Sequence, residues 1–142
     1  MSRKIVPCLS SFGNNWGGVP MRSHVFDDFD AFAESVRDVD SRMLLRDPLR
    51  RVWSTCSVDL GRIGIQLGKL GSGNIAMGQL RSDGYMLYLP LYAAVEYLVN
   101  GVVLPKNSFA ILEPGCEFCI STKVAHDWCV AFIPADLLAP AG

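Results

Sequence analysis

The segment from Tyr97 to Ser121 is interrupted by turn signals at short intervals, and this pattern constrains the fold more than any other. Asn100 and Gly101 separate two apolar runs, and both tolerate the positive φ that a type I′ hairpin turn requires. Further turns are predicted at residues 105–107 and at residues 114–115. In the second of these, proline presets φ and glycine supplies a left-handed residue. Short strands separated by such turns predict a small antiparallel barrel or sandwich.

Strand-like alternation extends this prediction on both sides of the segment. Residues 52–60 alternate between apolar and polar side chains, and a turn at residues 60–62 joins them to a strand over residues 63–67. A glycine-rich connection over 68–73 and a weaker strand over 74–80, broken by Gly78, come next. Strands over 85–89 and 126–133 complete the pattern. Because no strand–helix–strand alternation is present, we predict a mainly β protein, an antiparallel barrel or jelly roll.

One helix is predicted, over residues 27–38. Asp27 is the predicted N-cap, and acidic residues follow in the first turn, where the helix dipole favours them. An apolar stripe recurs at helical spacing and consists of Phe29, Phe32, Ala33 and Val36. We expect the helix to pack on the outside of the sheet, and the alternative is a helix that binds a partner.

Residues 1–22 are rich in glycine, serine and asparagine, and they predict a flexible N-terminal arm anchored by Trp16. The arm is either a disordered terminus or a segment that folds over a pocket or a partner. The remaining residues, 23–138, are predicted to form one domain.

The composition excludes several classes of function. With 142 residues and a net charge of −1, the chain is one domain that lacks the basic surface typical of nucleic-acid binding. No apolar run approaches the roughly 20 residues that span a bilayer, and no signal peptide is evident. We therefore predict a cytoplasmic protein. Half of the residues are apolar and 19% are charged, which is consistent with an apolar interface.

No catalytic or metal-binding pattern is present in the sequence. The odd number of cysteines, five, argues against a disulfide framework, and the Cys116–Cys119 pair lacks the further ligands of a zinc site. The two histidines, His24 and His126, are far apart, whereas metal centres need several converging ligands. His126 and Asp127 should point to opposite faces of a strand. We predict no enzyme activity, no metal and no cofactor.

The residues with most potential to bind a ligand lie on or beside the predicted strands. Aromatic side chains with polar tips commonly line small-molecule pockets in barrels. The same residues are also typical of a solid core, and that alternative stays open. The candidate ligand-binding residues are Trp53, Tyr85, Tyr88, Tyr97, Phe118, His126 and Trp128.

Four segments give the chain a family resemblance. Residues 26–37, 59–61, 99–104 and 112–118, the last taken with 126–128, resemble the N-terminal effector-binding and dimerisation domain of AraC-type transcription regulators. The resemblance covers roughly residues 23–138. It implies a cupin-like barrel, a small-molecule effector and a homodimer. These regulators contact DNA through a C-terminal pair of helix-turn-helix units, so DNA contact is expected only through a domain outside this chain.

The resemblance to cupins has one informative departure. The turn of the second cupin motif corresponds to Glu113, Pro114 and Gly115, and Phe118 lies about where a metal-binding histidine is expected. The paired histidines of the first motif have no counterpart. This departure favours a sensor without catalysis. The alternatives are a small cupin enzyme that uses His126 with Glu113 or Glu117, and an interaction module that uses the helix.

Overall fold

A computed structural model of the chain describes residues 15–16, 19–46, 48–91 and 94–138. Most of the predicted arm, including Cys8 and the side chain of Trp16, lies outside the described residues. The second strand begins at Val19, within the segment predicted as an arm. Among the described residues, no helix has the length and the apolar character needed to cross a membrane.

The described chain consists mostly of strands. The strands are β1 (Asn15–Trp16), β2 (Val19–Phe26), β3 (Val39–Arg46), β4 (Trp53–Leu60), β5 (Ile63–Leu70), β6 (Gly73–Leu80), β7 (Gly84–Pro90), β8 (Leu98–Val99), β9 (Val102–Val103), β10 (Ala110–Leu112), β11 (Glu117–Thr122) and β12 (His126–Pro134). Helix α1 (Phe29–Ser35) lies between β2 and β3, and a short 3₁₀ helix, Ala135–Leu137, follows β12.

Two antiparallel sheets form the barrel. The larger has the strand order β1-β2-β4-β5-β12-β7-β10, and the smaller has the order β3-β6-β11-β8-β9. Their inner faces contribute a single apolar core that includes Trp53, Trp128 and Phe132 from the larger sheet and Phe118 and Ile120 from the smaller. The predicted mainly β antiparallel barrel with one helix is therefore confirmed.

The turns predicted from the sequence are present. Asn100 and Gly101 have φ values of 50° and 79°, as a type I′ turn between β8 and β9 requires. Gly61, Asn107 and Gly115 also have positive φ, at 64°, 62° and 72°. Local sequence thus predicts these reversals, and at Asn100 two hydrogen bonds with the Cys119 backbone, of 2.8 and 2.7 Å, hold the turn against β11.

The helix is shorter than predicted, and the strand that follows it was missed. Asp28, not Asp27, is the N-cap, and its carboxylate accepts a hydrogen bond of 3.0 Å from the Asp30 amide. The predicted C-terminal boundary at residue 38 was wrong, because Gln66 from β5 binds the end of the helix. Its side-chain amide donates to the Ser35 carbonyl at 2.9 Å, and its oxygen accepts from the Arg37 amide at 3.2 Å. These contacts end the helix before β3.

The predicted glycine-rich connection was also wrong, since β5 continues to Leu70. Gly68 lies within that strand. The position requires glycine, because a Cβ there would be 2.4 Å from ring atoms of Trp128. Gly78 does not break β6, and a Cβ there would be 2.2 Å from the Asp40 carbonyl oxygen of β3. Both glycines permit a close approach between paired or facing groups.

We expect Gly68→Ala to destabilise the fold by about 1–3 kcal/mol, because the added methyl group overlaps the Trp128 indole. Gly64→Ala is the matched control on the same strand, where the nearest atom to an added Cβ is 3.5 Å away. Its free energy of unfolding should change by less than about 0.5 kcal/mol. Urea denaturation of both variants measures the difference. Equal stability of the two variants would contradict the proposed overlap.

Candidate functional site inside the barrel

A cavity of about 50 Å³ lies between the inner faces of the two sheets. Its wall comes from β3, β6, β7, β11 and β12, together with Val36 just after the helix. The volume is sufficient for a few water molecules. Most of the wall is apolar, with the side chains of Val39, Met43, Ala76, Met86, Ile120 and Val130. Its polar members include Ser41, Asn74 and His126.

Five of the seven predicted ligand-binding residues lie together at this cavity. Tyr88, Phe118, His126 and Trp128 are part of its wall. Tyr97 lies directly behind them, with its ring centroid 6.2 Å from that of Tyr88 and 5.6 Å from that of His126. All five side chains are at least nine-tenths buried. These five residues are thus grouped at the interior, and their binding of a ligand stays a prediction.

The other two residues are placed elsewhere. Trp53 is buried against Phe29, at 5.4 Å between ring centroids, and its Nε1–H donates to the Ser72 hydroxyl at 3.0 Å. Tyr85 lies on β7 next to Met86, which faces the cavity. Since neighbouring strand residues point to opposite faces, Tyr85 is directed away from the interior.

A small polar cluster, which the sequence did not reveal, closes one end of the cavity. Asn74 on β6 and Thr122 on β11 are directly opposite each other in the register. The Thr122 hydroxyl accepts from the Asn74 backbone N–H at 3.3 Å and donates to the Asn74 side-chain oxygen at 3.3 Å. It also lies 3.1 Å from His126 Nδ1 and 3.3 Å from Nε2. Polar side chains at inward positions of two strands are the only signal of this cluster, and it requires knowledge of which strands pair.

His126 is a neutral imidazole in this environment. Burial lowers its pKa from 6.5 to about 4, although hydrogen bonds to the backbone carbonyls of Val124 and Ser72 oppose that shift. The Nδ1 atom lies 3.0 Å from the Val124 carbonyl oxygen, which can only accept, so the proton of that bond resides on Nδ1. Nε2 then carries no proton and is an acceptor. At neutral pH the polar end of the cavity is therefore uncharged.

The residues of the enzyme alternative are not brought together. Glu113 and Glu117 are exposed, whereas His126 is buried. Phe118 points into the cavity, so its neighbour Glu117 points outwards. The cavity wall offers one imidazole and no carboxylate, a donor set that does not fit a metal centre. No group of three or more potential metal ligands occurs in the described part of the chain.

The helix face predicted as a possible partner site is occupied within the chain. Phe32 is completely buried and belongs to the core, and Phe29 packs on Trp53 and lies 6.0 Å from Phe32. Replacing these residues is therefore expected to destabilise the fold rather than to free a binding surface.

Comparison with known proteins identifies the fold. The sequence matches no known family and no curated protein significantly. The AraC-like transcriptional activator CuxR has a similar structure, with a TM-score of 0.60 and 18% identity over 83% of this chain and 48% of that protein. This chain thus spans about half the length of that activator.

Two cupins are also similar, at lower scores. An RmlC-like cupin from Shewanella frigidimarina has a TM-score of 0.46 and 9% identity, and covers 66% of this chain and 85% of its own. A cupin-2 domain protein from Rhodospirillum rubrum has a TM-score of 0.44 and 13% identity, with coverage of 83% and 71%. The likeness to the AraC-like activator confirms the predicted resemblance at the level of the fold, a two-sheet antiparallel barrel.

Acid should destabilise the protein through His126. The unfolded state binds a proton near pH 6.5 and the folded state only near pH 4, so the free energy of unfolding decreases as pH falls through this window. The pKa difference between the unfolded and folded states corresponds to a loss of about 3 kcal/mol in the free energy of unfolding. Urea denaturation of the wild type and of His126→Gln between these pH values measures it, and the variant should show a flatter profile.

His24→Gln is the control, because His24 is exposed on β2. This variant should keep the pH dependence of the wild type. An unchanged profile in His126→Gln would show that His126 is not the group responsible.

Proposed function

We propose that this chain is the regulatory domain of an AraC-family transcription regulator, which senses a small molecule inside the barrel and forms a homodimer. It makes no DNA contact of its own. The single observation that carries the proposal is the largely apolar cavity with a polar cluster at one end, within a fold shared with an AraC-like activator. The net charge of −1 is consistent with the absence of a DNA-binding surface.

The cavity wall indicates the chemistry of the effector. A wall of aliphatic and aromatic groups without a charge favours a neutral, largely apolar molecule. The acceptor at His126 Nε2 and the Asn74 side chain would orient one polar group of such a molecule. The volume of about 50 Å³ means that an effector of more than a few atoms must displace side chains. Met43 and Met86 are well suited to this, since methionine side chains adapt their shape at low cost.

The homodimer would use the edge strands β9 and β10. The exposed apolar side chains there and on the approach to β10 are Val102 (64% exposed), Val103 (49%), Phe109 (53%) and Ile111 (58%). β9 ends the smaller sheet and β10 ends the larger one. Exposed apolar groups at open sheet edges favour association with another copy, which buries the groups and protects the edges.

Filling the cavity should abolish sensing without unfolding the protein. Ala76→Val adds two methyl groups to the wall, and Met77→Val is a matched control, because the neighbouring Met77 is on the outward face of β6. A metabolite panel screened by thermal denaturation should include a neutral compound that stabilises the wild type and Met77→Val by about 2.7 kcal/mol at a hundred times its Kd. Ala76→Val should show no such stabilisation.

A panel that stabilises none of the proteins would count against sensing, and so would equal stabilisation of Ala76→Val. Turnover of a panel compound would instead favour the alternative of a small cupin enzyme.

The dimer proposal is tested separately by sedimentation equilibrium. The wild type should sediment as a dimer, and Ile111→Asp should be a folded monomer because it introduces a charge at the buried contact. Leu49→Asp is the control, since Leu49 is 77% exposed and lies outside β9 and β10. A monomeric wild type, or a dimeric Ile111→Asp, would contradict the proposed interface.

A further inference from the structure

A second cleft, of about 420 Å³, borders the larger sheet, and its wall includes outward side chains of β2, β4, β5 and β12 as well as Leu70 and His126. Four side chains form one row across it, because Val25 pairs with Ser54, Ser54 with Lys69, and Lys69 with Asp127. The inward row next to it contains Trp53, Leu70 and His126, which belong to the core. The outer row is therefore on the opposite side of the sheet from the effector cavity.

Asp127 is the unusual member of this row. Only 3% of the residue is exposed, and its Oδ2 atom has no hydrogen-bond partner among the residues that the structure describes. Burial raises the pKa of this carboxyl, while the positive charges of Lys69 and Arg50 oppose the increase. A buried oxygen without a donor is costly to the folded protein, so a ligand that supplies an N–H group there gains the compensating hydrogen bond.

Two basic side chains lie in the same cleft as Asp127. Lys69 and Arg50 both line the cleft and both are exposed, and neither forms an ion pair within the described part of the chain. They are positioned to receive an anionic group. The aliphatic side chains of Val25 and Val52, which are 75% and 52% exposed, provide an apolar wall.

We propose that this cleft binds an aliphatic α-amino acid. The ammonium group donates to Asp127 Oδ2, the carboxylate lies against Lys69 and Arg50, and the side chain packs on Val25 and Val52. A simple anion would leave Asp127 without a donor, and a simple cation would be repelled by the two basic side chains. A zwitterion provides a donor for Asp127 and a negative charge for the two basic side chains. The cleft volume is in the range of small-molecule sites.

The experiment uses the whole chain and thermal denaturation with the aliphatic L-amino acids at millimolar concentration. Isocaproate, which is leucine without its amine, and isoamylamine, which is leucine without its carboxylate, are matched probes. We expect at least one amino acid to raise the Tm, and neither analogue to do so. Asp127→Asn and Lys69→Gln should each weaken the Kd about tenfold or more, since each removes a charge-assisted contact.

Lys123→Gln, on an exposed lysine outside the cleft, should bind like the wild type. Because Lys69 is exposed, its substitution keeps the test valid even if Asp127→Asn does not fold. No stabilisation by any amino acid, equal stabilisation by an analogue, or undiminished binding in Lys69→Gln would overturn the proposal. Ala76→Val, which fills the interior, should still bind the amino acid, so failure at one site is distinguishable from failure at the other.

Discussion

The pairing of β12 on both of its edges is the constraint on which the rest of the structure depends. It pairs with β5 from His126 to Phe132 and with β7 from Trp128 to Pro134. Alternation along this one strand sends His126 and Trp128 into the barrel and Asp127 to the outer face. A slip of one residue would exchange the two faces and place the carboxylate in the core. Gly68 leaves room for the Trp128 ring beside β5 and so favours this register.

The interior combines a rigid end and an adaptable end. Asn74, Thr122 and His126 form a buried hydrogen-bonded cluster, in which the imidazole is neutral because burial lowers its pKa to about 4. Such clusters hold side chains in one arrangement when all their members have partners. The two methionines on the wall, Met43 and Met86, are less restrained: the Met43 sulfur accepts only a long contact of 3.9 Å from the Asn74 side-chain amide. A ligand would therefore be oriented by the polar cluster and accommodated by movement at the methionines.

His126 connects the two proposed sites, because it borders both the interior cavity and the outer cleft. The next residue, Asp127, is also held from the interior side, since the Tyr97 hydroxyl donates to its backbone carbonyl at 2.7 Å. The same two residues of β12 thus face an apolar, uncharged cavity and a charged cleft. The difference in chemistry between the two sites follows from the alternation of one strand.

The sequence predicted the features that depend on neighbouring residues. Asn100 and Gly101 specify their turn by their own tolerance of positive φ, and alternation predicted most strands. Features that depend on distant residues were not predictable. The end of the helix is determined by Gln66, which is 31 positions after Ser35, and the need for glycine at 68 comes from a ring 60 positions later.

The same distinction holds at the candidate site. Composition identified the aromatic residues. However, Tyr85 and Tyr88 are three positions apart on one strand and therefore point to opposite faces, and the prediction that placed both in the ligand site did not take this alternation into account. Asn74 and Thr122 are 48 positions apart, and only the register between β6 and β11 brings them opposite each other.

The most direct test of the central claim, that the barrel interior is the effector site, is an NMR measurement of the indole N–H groups. In protein labelled with ¹⁵N-tryptophan, the Trp128 signal is assigned from its loss in Trp128→Phe. A neutral metabolite that stabilises the protein should shift this signal strongly, because the ring forms part of the cavity wall. A stabilising neutral metabolite that leaves the Trp128 signal unmoved would show that the effector binds elsewhere.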